Sequence, residues 1–324
     1  MFRLIAGLFA AGLLAAPARA EDKVAFLMDW IPTGEHAAYY SGWQRGTFAK
    51  HGIDVTITRG YGSGDTVTKV AAGSAQFGVA DIAAVLTARM RADVPVKSIM
   101  SIYTFSPHSL FVLQSSGITG FKGLEGKKIS ITPGNSHKFY FPEVARRAGT
   151  DPDRITWVNT DASAMAALLI SKRVDAAPFY AIHEYYINKA AEKAGEHIVS
   201  LPFVKTGFTI YAATIMTTDA MLQKNPDLVK RFSAAVEESM AWAKDNQTEA
   251  CKLHIQRNPE VELDDCEHSL ARVIEYAFNP IQQKAGTGKF DAEELAFTWK
   301  VVAESQNLDV KKDFMKAVDT SHLP

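Results

Sequence analysis

The sequence predicts an α/β fold of two doubly wound lobes that are joined by two crossover segments. Strand-like and helix-like segments alternate over residues 23–114, and a second alternation runs over residues 128–202. A long apolar run at Thr209–Met216 then leads into a region that is helical to the end of the chain. Each alternation is typical of right-handed βαβ units on a mostly parallel sheet. The apolar run is the expected return crossover.

Hydrophobic periodicity places the individual elements. In lobe one the expected strands are Val24–Met28, Asp54–Thr58, Gln76–Ala80, Val96–Tyr103 and Ser109–Gln114, and the expected helices are His36–Lys50, Thr66–Ala72 and Ile82–Arg91. In lobe two the expected strands are Lys128–Thr132, Ile155–Asn159, Val174–Tyr180 and Ile198–Pro202, and the expected helices are a segment ending at Ala148, Ser163–Ser171 and His183–Lys193. The return is expected to form helices at Ala220–Asp245, Thr248–Gln256, His268–Ala277, Ala292–Ser305 and Val310–Val318.

These elements divide the chain into four parts. Residues 1–20 are the expected signal peptide, 21–114 the first part of lobe one, 115–208 lobe two, and 209–324 the return crossover with helices that pack on lobe one. The glycine-rich segment Gly117–Gly126 is the expected first crossover.

The first twenty residues are typical of a cleavable export signal. Arg3 precedes an apolar stretch at Leu4–Ala16, and Ala18-Arg19-Ala20 supplies a small-x-small cleavage site. The apolar stretch is too short to span a bilayer of about 30 Å. We therefore expect an exported, soluble protein of the bacterial periplasm.

Composition excludes some partner classes. Removing residues 1–20 removes two arginines and no acid, which takes the formal net charge from −1 to −3. The sequence shows no basic patch, which argues against nucleic acid and an anionic membrane as partners. The chain has two cysteines, Cys251 and Cys266. In an oxidising compartment they are a candidate disulfide, with two buried free thiols as the alternative.

The turn after the first strand is the richest candidate for ligand binding, because ligands bind at the carboxyl ends of strands in open α/β sheets. It carries Trp30, His36, Tyr39 and Tyr40. Flat aromatic faces suit a planar ligand. Adjacent helix positions point about 100° apart, so at most one of the two tyrosines faces the cleft. The alternative is that these tyrosines pack the helix onto the sheet.

Two other turns of lobe one offer polar groups. Gly62–Asp65 opens a helix, so its free N–H groups can hold a carboxylate, a sulfonate or a ring oxygen, or Ser63 can simply cap the helix. Asp81 ends the third strand, where it either accepts hydrogen bonds from a ligand or caps the next helix. In lobe two, Gly134–His137 follows a strand and opens a helix, and Asn135 and Ser136 are its candidate ligand contacts.

Several segments together resemble a known family. One is Asp29-Trp30-x-Pro32-x-x-x-His36-x-x-x-Tyr40, followed by Gly46-x-Phe48-x-x-x-Gly52-Ile53-Asp54-Val55. Another is Val70-Ala71-x-Gly73-x-Ala75-x-Phe77-Gly78-Val79-Ala80-Asp81. The chain resembles the periplasmic substrate-binding proteins of ABC importers, in the SsuA/ThiY-like branch with thiamine-pyrimidine-, sulfonate- and nitrate-binding members. The resemblance implies a type II Venus-flytrap fold with two hinge crossovers.

The resemblance also implies site residues and partners. Tyr180 and Glu184 look like the Tyr and Glu that the pyrimidine-binding branch uses in lobe two, where the Glu bonds an aminopyrimidine. The spacing from Val174 to Tyr180 is one residue shorter than in that branch. The implied partners are a small ligand, a membrane permease and its ATPase. A monomer without cofactors is expected.

The expected function is capture of a small planar heterocyclic or aromatic metabolite by hinge closure. Alternatives are a small oxyanion such as an alkanesulfonate, taurine or nitrate, and a sensor subunit that presents the ligand to a receptor. The aromatic residues near the first turn favour a planar ligand, and no arginine falls in the proposed cleft loops. Enzyme activity is not expected, because the sequence has no Gly-x-Ser-x-Gly, His-Glu-x-x-His or Walker motif. A eukaryotic relative that builds the thiamine pyrimidine carries a cysteine-rich iron motif, and the two cysteines of this chain cannot reproduce it.

Overall fold

The computed structural model describes residues 21–324, and the expected signal peptide lies outside the described residues. Ten strands form two five-stranded sheets within this range. The first sheet has the order β2-β1-β3-β10-β4, from β1 (Asp22–Leu27), β2 (Ile53–Thr58), β3 (Phe77–Asp81), β4 (Val96–Ser101) and β10 (Ala213–Thr218). The second has the order β7-β6-β8-β5-β9, from β5 (His108–Leu113), β6 (Lys128–Ile131), β7 (Thr156–Asn159), β8 (Ala176–Tyr180) and β9 (Ile198–Pro202).

Both sheets are mixed. In the first, β1 pairs in parallel with β2 and β3, with Val24 opposite Val55, while β10 runs antiparallel between β3 and β4. In the second, β6 is parallel to β7 and β8, and β5 is antiparallel to β8 and β9. Strand β2 alternates buried and exposed residues, whereas all of β3 is buried. This difference fits an edge strand and a central one.

Thirteen α-helices are present in the described residues. They are α1 (Ala37–Gln44), α2 (Thr47–Lys50), α3 (Ser63–Ala71), α4 (Ile82–Ala92), α5 (His137–Arg147), α6 (Ala162–Ile170), α7 (Glu184–Glu192), α8 (Asp219–Lys224), α9 (Pro226–Asp245), α10 (Gln247–Arg257), α11 (Leu263–Ala277), α12 (Pro280–Ala285) and α13 (Ala292–Gln306). The expected helix His36–Lys50 is broken into α1 and α2, because Gly46 adopts a left-handed φ of 73°. No helix in residues 21–324 combines the length and apolarity that crossing a membrane requires.

The first crossover lies earlier than expected. Strand β5 pairs with β8 and β9 of the second sheet, so the chain leaves lobe one over residues 102–107 and not at the 114/115 boundary or in Gly117–Gly126. The second crossing runs through residues 208–212. The two segments lie side by side: the Tyr103 N–H donates to Ala213 O and the Ala212 N–H to Tyr103 O, both at 3.0 Å.

The C-terminal helices pack mainly on lobe one. Phe232 of α9 stacks on Phe77 with ring centroids 3.9 Å apart and meets Phe26 edge-on at 5.0 Å. Helix α13, in contrast, packs against both α4 and α5, and the Gln306 amide donates to Phe139 O at 3.0 Å. The return therefore contacts both lobes and not lobe one alone.

Cys251 and Cys266 form a disulfide that joins α10 to α11. Helix α11 lies directly behind the turn that follows β1. A Cβ added to Gly34 in this turn would lie 2.4 Å from Cys266 O. The disulfide thus fixes the helix that supports the predicted binding turn.

Candidate functional site

Four strand ends meet between the lobes and enclose a cleft. The turns after β1 and β2 face the turns after β6 and β8. The residues that line this cleft are Asp29, Trp30, Glu35, Gly62, Ser63, Asn135, Ser136, His137, Pro178, Phe179, Tyr180 and His183. The cavity has a volume of about 20 Å³, which is room for one or two waters. The lobes are therefore nearly shut against each other.

Backbone contacts confirm how closely the lobes approach. The Gly64 N–H at the start of α3 donates to Gly134 O of lobe two at 2.9 Å. A Cβ on Gly64 would lie 3.0 Å from Gly134 Cα. Glycine at both positions lets two turns from opposite lobes meet through their main chains.

Glu35 and His183 form a buried pair across the cleft. His183 Nε2 lies 3.0 Å from Glu35 Oε2 and 3.4 Å from Thr33 Oγ1, and the Tyr103 hydroxyl donates to Glu35 Oε1 at 3.3 Å. Burial, with the nearby Asp29 carboxylate, raises the pKa of Glu35 to about 8. Burial lowers the pKa of His183 to about 4. Burial thus makes the charged form of both groups costly.

A second acid and imidazole lie beside the first pair. His36 Nε2 is 3.3 Å from Asp29 Oδ1, and both side chains are buried. His254 of α10 lies behind them, and its ring packs edge-on against Tyr40 with centroids 5.0 Å apart. Burial and the neighbouring His36 lower the pKa of His254 to about 3.

Asp81 is the centre of a separate buried network between the lobes. Its carboxylate accepts from Tyr140 OH at 2.6 Å and Tyr180 OH at 3.3 Å, and it lies 3.2 Å from His108 Nε2. Oδ1 also accepts from the Ala83 N–H at 2.8 Å, which caps α4. Burial, followed by the charge of Asp81, raises the pKa of both tyrosines well above 10.0. This network holds the lobes together.

Trp30 crosses from lobe one into the apolar cluster of lobe two. It packs with Phe111, Met165 and Phe179 and is 9% exposed. Its indole Nε1 is buried and has no hydrogen-bond partner among the described residues. The indole thus presents both an apolar face and an unused donor at the cleft.

Lobe two supplies polar groups from the turn after β6. Ser136 Oγ lies 3.1 Å from His108 Nε2 and 3.5 Å from the Tyr180 hydroxyl. Asn135 Oδ1 accepts from the His137 N–H at 3.0 Å. His137 Nε2 lies 3.1 Å from Phe179 O, and burial keeps the pKa of His137 well below 6.5. These side chains are held in place by one another at the floor of the cleft.

Five of the residues selected from the sequence line the cleft: Trp30, Ser63, Asn135, Ser136 and Tyr180. Four others do not: His36, Tyr39, Asp81 and Glu184. His36 bonds Asp29 from behind, Tyr39 packs edge-on against Phe26 at 5.4 Å, and the Asp81 carboxylate is occupied by protein donors. Glu184 is exposed, because the turn after β8 directs the preceding His183 into the cleft.

Seven residues that line the cleft are not among the candidates selected from the sequence. They are Asp29, Glu35, Gly62, His137, Pro178, Phe179 and His183. Asp29 and Glu35 lie in the turn after the first strand, which the sequence indicates as the best candidate for ligand binding. Their closeness to Trp30 in the sequence is the only indication of their place in the cleft. No sequence signal separates His183 from its neighbour Glu184.

The charge of the lining is negative or neutral. Among the described residues that line the cleft, two are carboxylic acids and none is lysine or arginine. The Arg59 guanidinium lies over the Tyr61 ring at 4.4 Å, outside the lining. A ligand in this cleft therefore meets aromatic faces, imidazoles and carboxyl groups.

Comparison with known proteins adds to this picture. A family model described as NMT1/THI5 like matches residues 33–250. Riboflavin-binding protein RibY of Chloroflexus aurantiacus is 24% identical over 310 residues, which are 94% of this chain and 86% of RibY. The 4-amino-5-hydroxymethyl-2-methylpyrimidine phosphate synthase THI11 of Saccharomyces cerevisiae is 24% identical over 252 residues, which are 75% of this chain and 73% of the synthase.

A solved structure shares the whole architecture. The alkanesulfonate-binding protein SsuA of Xanthomonas axonopodis pv. citri, bound to MOPS, aligns with a TM-score of 0.72 and 13% identity. The alignment covers 94% of this chain and 99% of SsuA. At this identity the likeness shows the fold, which confirms the predicted two-lobed α/β architecture. The chain has the periplasmic-binding-protein fold and belongs to the NMT1/THI5-like family.

Proposed function

We propose that this protein is the solute-binding component of an ABC import system. It captures a small planar heterocycle between its lobes in the periplasm and presents it to a membrane permease. The observation that carries the proposal is the lining of the cleft, where Trp30, Phe179 and Tyr180 lie beside Asp29 and Glu35.

This lining suits a nitrogen heterocycle. Aromatic side chains stack on a planar ring and add about 0.5–1.5 kcal/mol to the burial of its area. Carboxyl and imidazole groups then accept from, or donate to, ring nitrogens and amino groups. RibY, which aligns with nearly the whole chain, is named for binding riboflavin, itself a planar heterocycle.

The hinge supports capture by closure. Two crossovers join the lobes, and residues of both lobes line the cleft. A ligand favours closure only when it binds the closed state better than the open one, so contacts from both lobes are required. Trp30 from lobe one and His183 from lobe two meet that requirement.

An oxyanion is the weaker candidate. SsuA binds a sulfonate-containing buffer, but the cleft here carries two carboxylic acids and no lysine or arginine in its described lining. Like charges facing each other oppose binding. A sulfonate or nitrate here would depend on the backbone N–H groups of the turns at Gly62–Asp65 and Gly134–His137, without a lysine or arginine in the described lining.

Catalysis is the other alternative, because the yeast relative is named as a synthase. In this chain both cysteines are joined in a disulfide between α10 and α11, so neither thiol is available to hold a metal or act as a nucleophile. We propose binding and release of an unchanged ligand. Recovery of the ligand after incubation, followed by mass spectrometry, distinguishes binding from turnover.

A thermal-shift screen tests the proposal. Aminopyrimidines, flavins, aromatic acids, sulfonates and nitrate are each added to the purified protein. A ligand at 100 times its Kd stabilises the folded state by about 2.7 kcal/mol. We expect a heterocycle to raise Tm.

Trp30→Ala should weaken the binding of that heterocycle by about tenfold or more, because it removes the aromatic face on which the ring stacks. Trp43→Ala is the matched control, because Trp43 stacks on Arg257 at 4.1 Å and lies outside the cleft lining. A shift with sulfonates or nitrate alone contradicts the proposal.

A further inference from the structure

Two carboxyl groups and two imidazoles are buried together at one side of the cleft. Asp29, Glu35, His36 and His183 are 4%, 4%, 0% and 3% exposed. We propose that these four side chains bind a divalent transition-metal ion of the zinc type, a site beyond the capture of an organic solute.

Three of the four donors are close enough to share an ion, and the fourth contacts one of them. His36 Nε2 is 3.3 Å from Asp29 Oδ1, and His183 Nε2 is 3.0 Å from Glu35 Oε2. Ligand atoms of Asp29, Glu35 and His36 all lie within 4.8 Å of one another. Bond lengths of about 2.0–2.2 Å in tetrahedral zinc sites place neighbouring ligand atoms about 3.4 Å apart. His183 lies outside this group of three, but its ring contacts Glu35 and would complete the ligand set by turning toward the ion.

The charge of this cluster lacks a permanent counterion. In residues 21–324 the ion-pair partner of Asp29 is His36, that of Glu35 is His183, and no lysine or arginine contacts either acid. Buried carboxylates are costly unless an opposite charge lies beside them. A divalent cation supplies that charge within the existing cluster.

The donor set selects the class of metal. Two imidazole nitrogens with two carboxylate oxygens suit zinc and neighbouring transition ions, whereas calcium and magnesium prefer oxygen ligands alone. His36 Nδ1 and His183 Nδ1 are buried and have no partner among the described residues. No hydrogen bond at Nδ1 therefore locks either ring, and each can turn toward the ion.

The ion would tie the two lobes together. Asp29, Glu35 and His36 belong to the turn after β1 in lobe one, and His183 belongs to the turn after β8 in lobe two. An ion bound by all four is bound only when the cleft is shut, so it stabilises the closed form.

A second group of acidic residues already has a cationic partner. Glu262, Asp264 and Asp265 lie close enough to share an ion, but the Lys189 ammonium already contacts all three at 2.8–2.9 Å. This exposed cluster has its counterion and serves as the control site.

Calorimetric titration of the chelator-treated protein with Zn²⁺ tests the proposal, and the visible absorption of a Co²⁺ complex reports coordination. We expect one equivalent to bind and Co²⁺ to give the bands of a four-coordinate site. His36→Ala and His183→Ala should each weaken Zn²⁺ binding by about 100-fold. Loss of a group that only orients a metal ligand already weakens metal binding by about 10- to 100-fold. His197→Ala, at an exposed histidine, should leave the affinity unchanged. Asp264→Asn should weaken binding far less than either site variant does.

Absence of stoichiometric binding to the wild-type protein overturns the proposal, and this measurement does not depend on the folding of any variant. Binding that persists in both site variants but is lost in Asp264→Asn also overturns it, since the ion would then lie at the surface cluster. No organic solute is present in the titration. Its result is therefore separate from the solute screen, and either can fail without the other.

Discussion

At the residue scale, burial lowers the pKa of three histidines inside this molecule, His137, His183 and His254. Burial lowers the pKa of His254 to about 3 and that of His183 to about 4. In the unfolded chain a histidine takes up a proton near pH 6.5. Below that pH the unfolded state binds more protons than the native state does, so stability falls as the pH is lowered toward the folded-state pKa.

His254 allows this effect to be measured at one position. The free energy of unfolding should fall between pH 7 and pH 5, and the burial of His254 should account for about 2 kcal/mol of this fall. Because His254→Gln has no imidazole at this position, its free energy of unfolding should fall by about 2 kcal/mol less than that of the wild type. Urea unfolding at both pH values measures it. His197→Gln is the control, because His197 is largely exposed. An equal pH response in both variants would contradict the explanation.

Some residues of the cleft can be predicted from the sequence, and others cannot. Trp30, Asn135 and Tyr180 were predictable because they end or follow buried strands, where the sheet topology places ligands. Glu35 and His183 were not, since a shift of one position around a turn changes which side chain faces the cleft. Sequence spacing does not fix that direction when a turn is short and partly 3-10 helical.

At the scale of elements, the binding turn is held by α11. Gly34 lies against this helix so closely that an added Cβ would meet Cys266 O at 2.4 Å and Ser269 Cβ at 2.7 Å. Backbone atoms cannot move aside without shifting the helix, which the disulfide ties to α10. The position of Glu35 and His36 therefore depends on the absence of a side chain at Gly34.

Gly34→Ala should accordingly displace the turn or the helix. We expect a loss of stability of about 1–3 kcal/mol, as in other overpacked sites, together with weaker ligand binding. Gly120→Ala is the matched control, since no atom lies within 4 Å of its added Cβ. Thermal or urea unfolding of the two variants gives the comparison. Equal stability would show that the contact behind Gly34 is not tight in solution.

The elements themselves were largely predictable, but their sheet membership was not. Strand β5 follows the four strands of lobe one in sequence, so alternation alone assigns it to that lobe. Pairing with β8 and β9 is a non-local contact that periodicity does not encode. In the same way, the left-handed turn at Gly46 interrupts a continuous helical pattern.

At the scale of the whole molecule, an exposed ion-pair cluster also spans the lobes. Lys189 of α7 in lobe two contacts Glu262, Asp264 and Asp265 at the start of α11. Beside it the Tyr185 ring stacks on His268 with centroids 3.5 Å apart. Surface ion pairs contribute little individually, but these three connect α7 of lobe two to α11, which packs on lobe one.

Lys189→Ala should therefore weaken ligand binding several-fold and reduce its salt dependence, because screening acts on exposed pairs. Lys172→Ala is the control: Lys172 pairs with Glu196 at 2.7 Å, and both belong to lobe two. Affinities measured at low and high salt give the result. A salt dependence unchanged by Lys189→Ala would show that this cluster does not act in closure.

We propose that the two lobes of this molecule close on a small planar heterocycle and not on an oxyanion. Isothermal titration calorimetry of the wild-type protein, with heterocycles and sulfonates titrated side by side, tests it most directly. We expect one heterocycle bound per chain, with a negative heat-capacity change from burial of the ring, and no binding of sulfonates or nitrate. Stoichiometric binding of a sulfonate or nitrate, with no heterocycle bound, would contradict it.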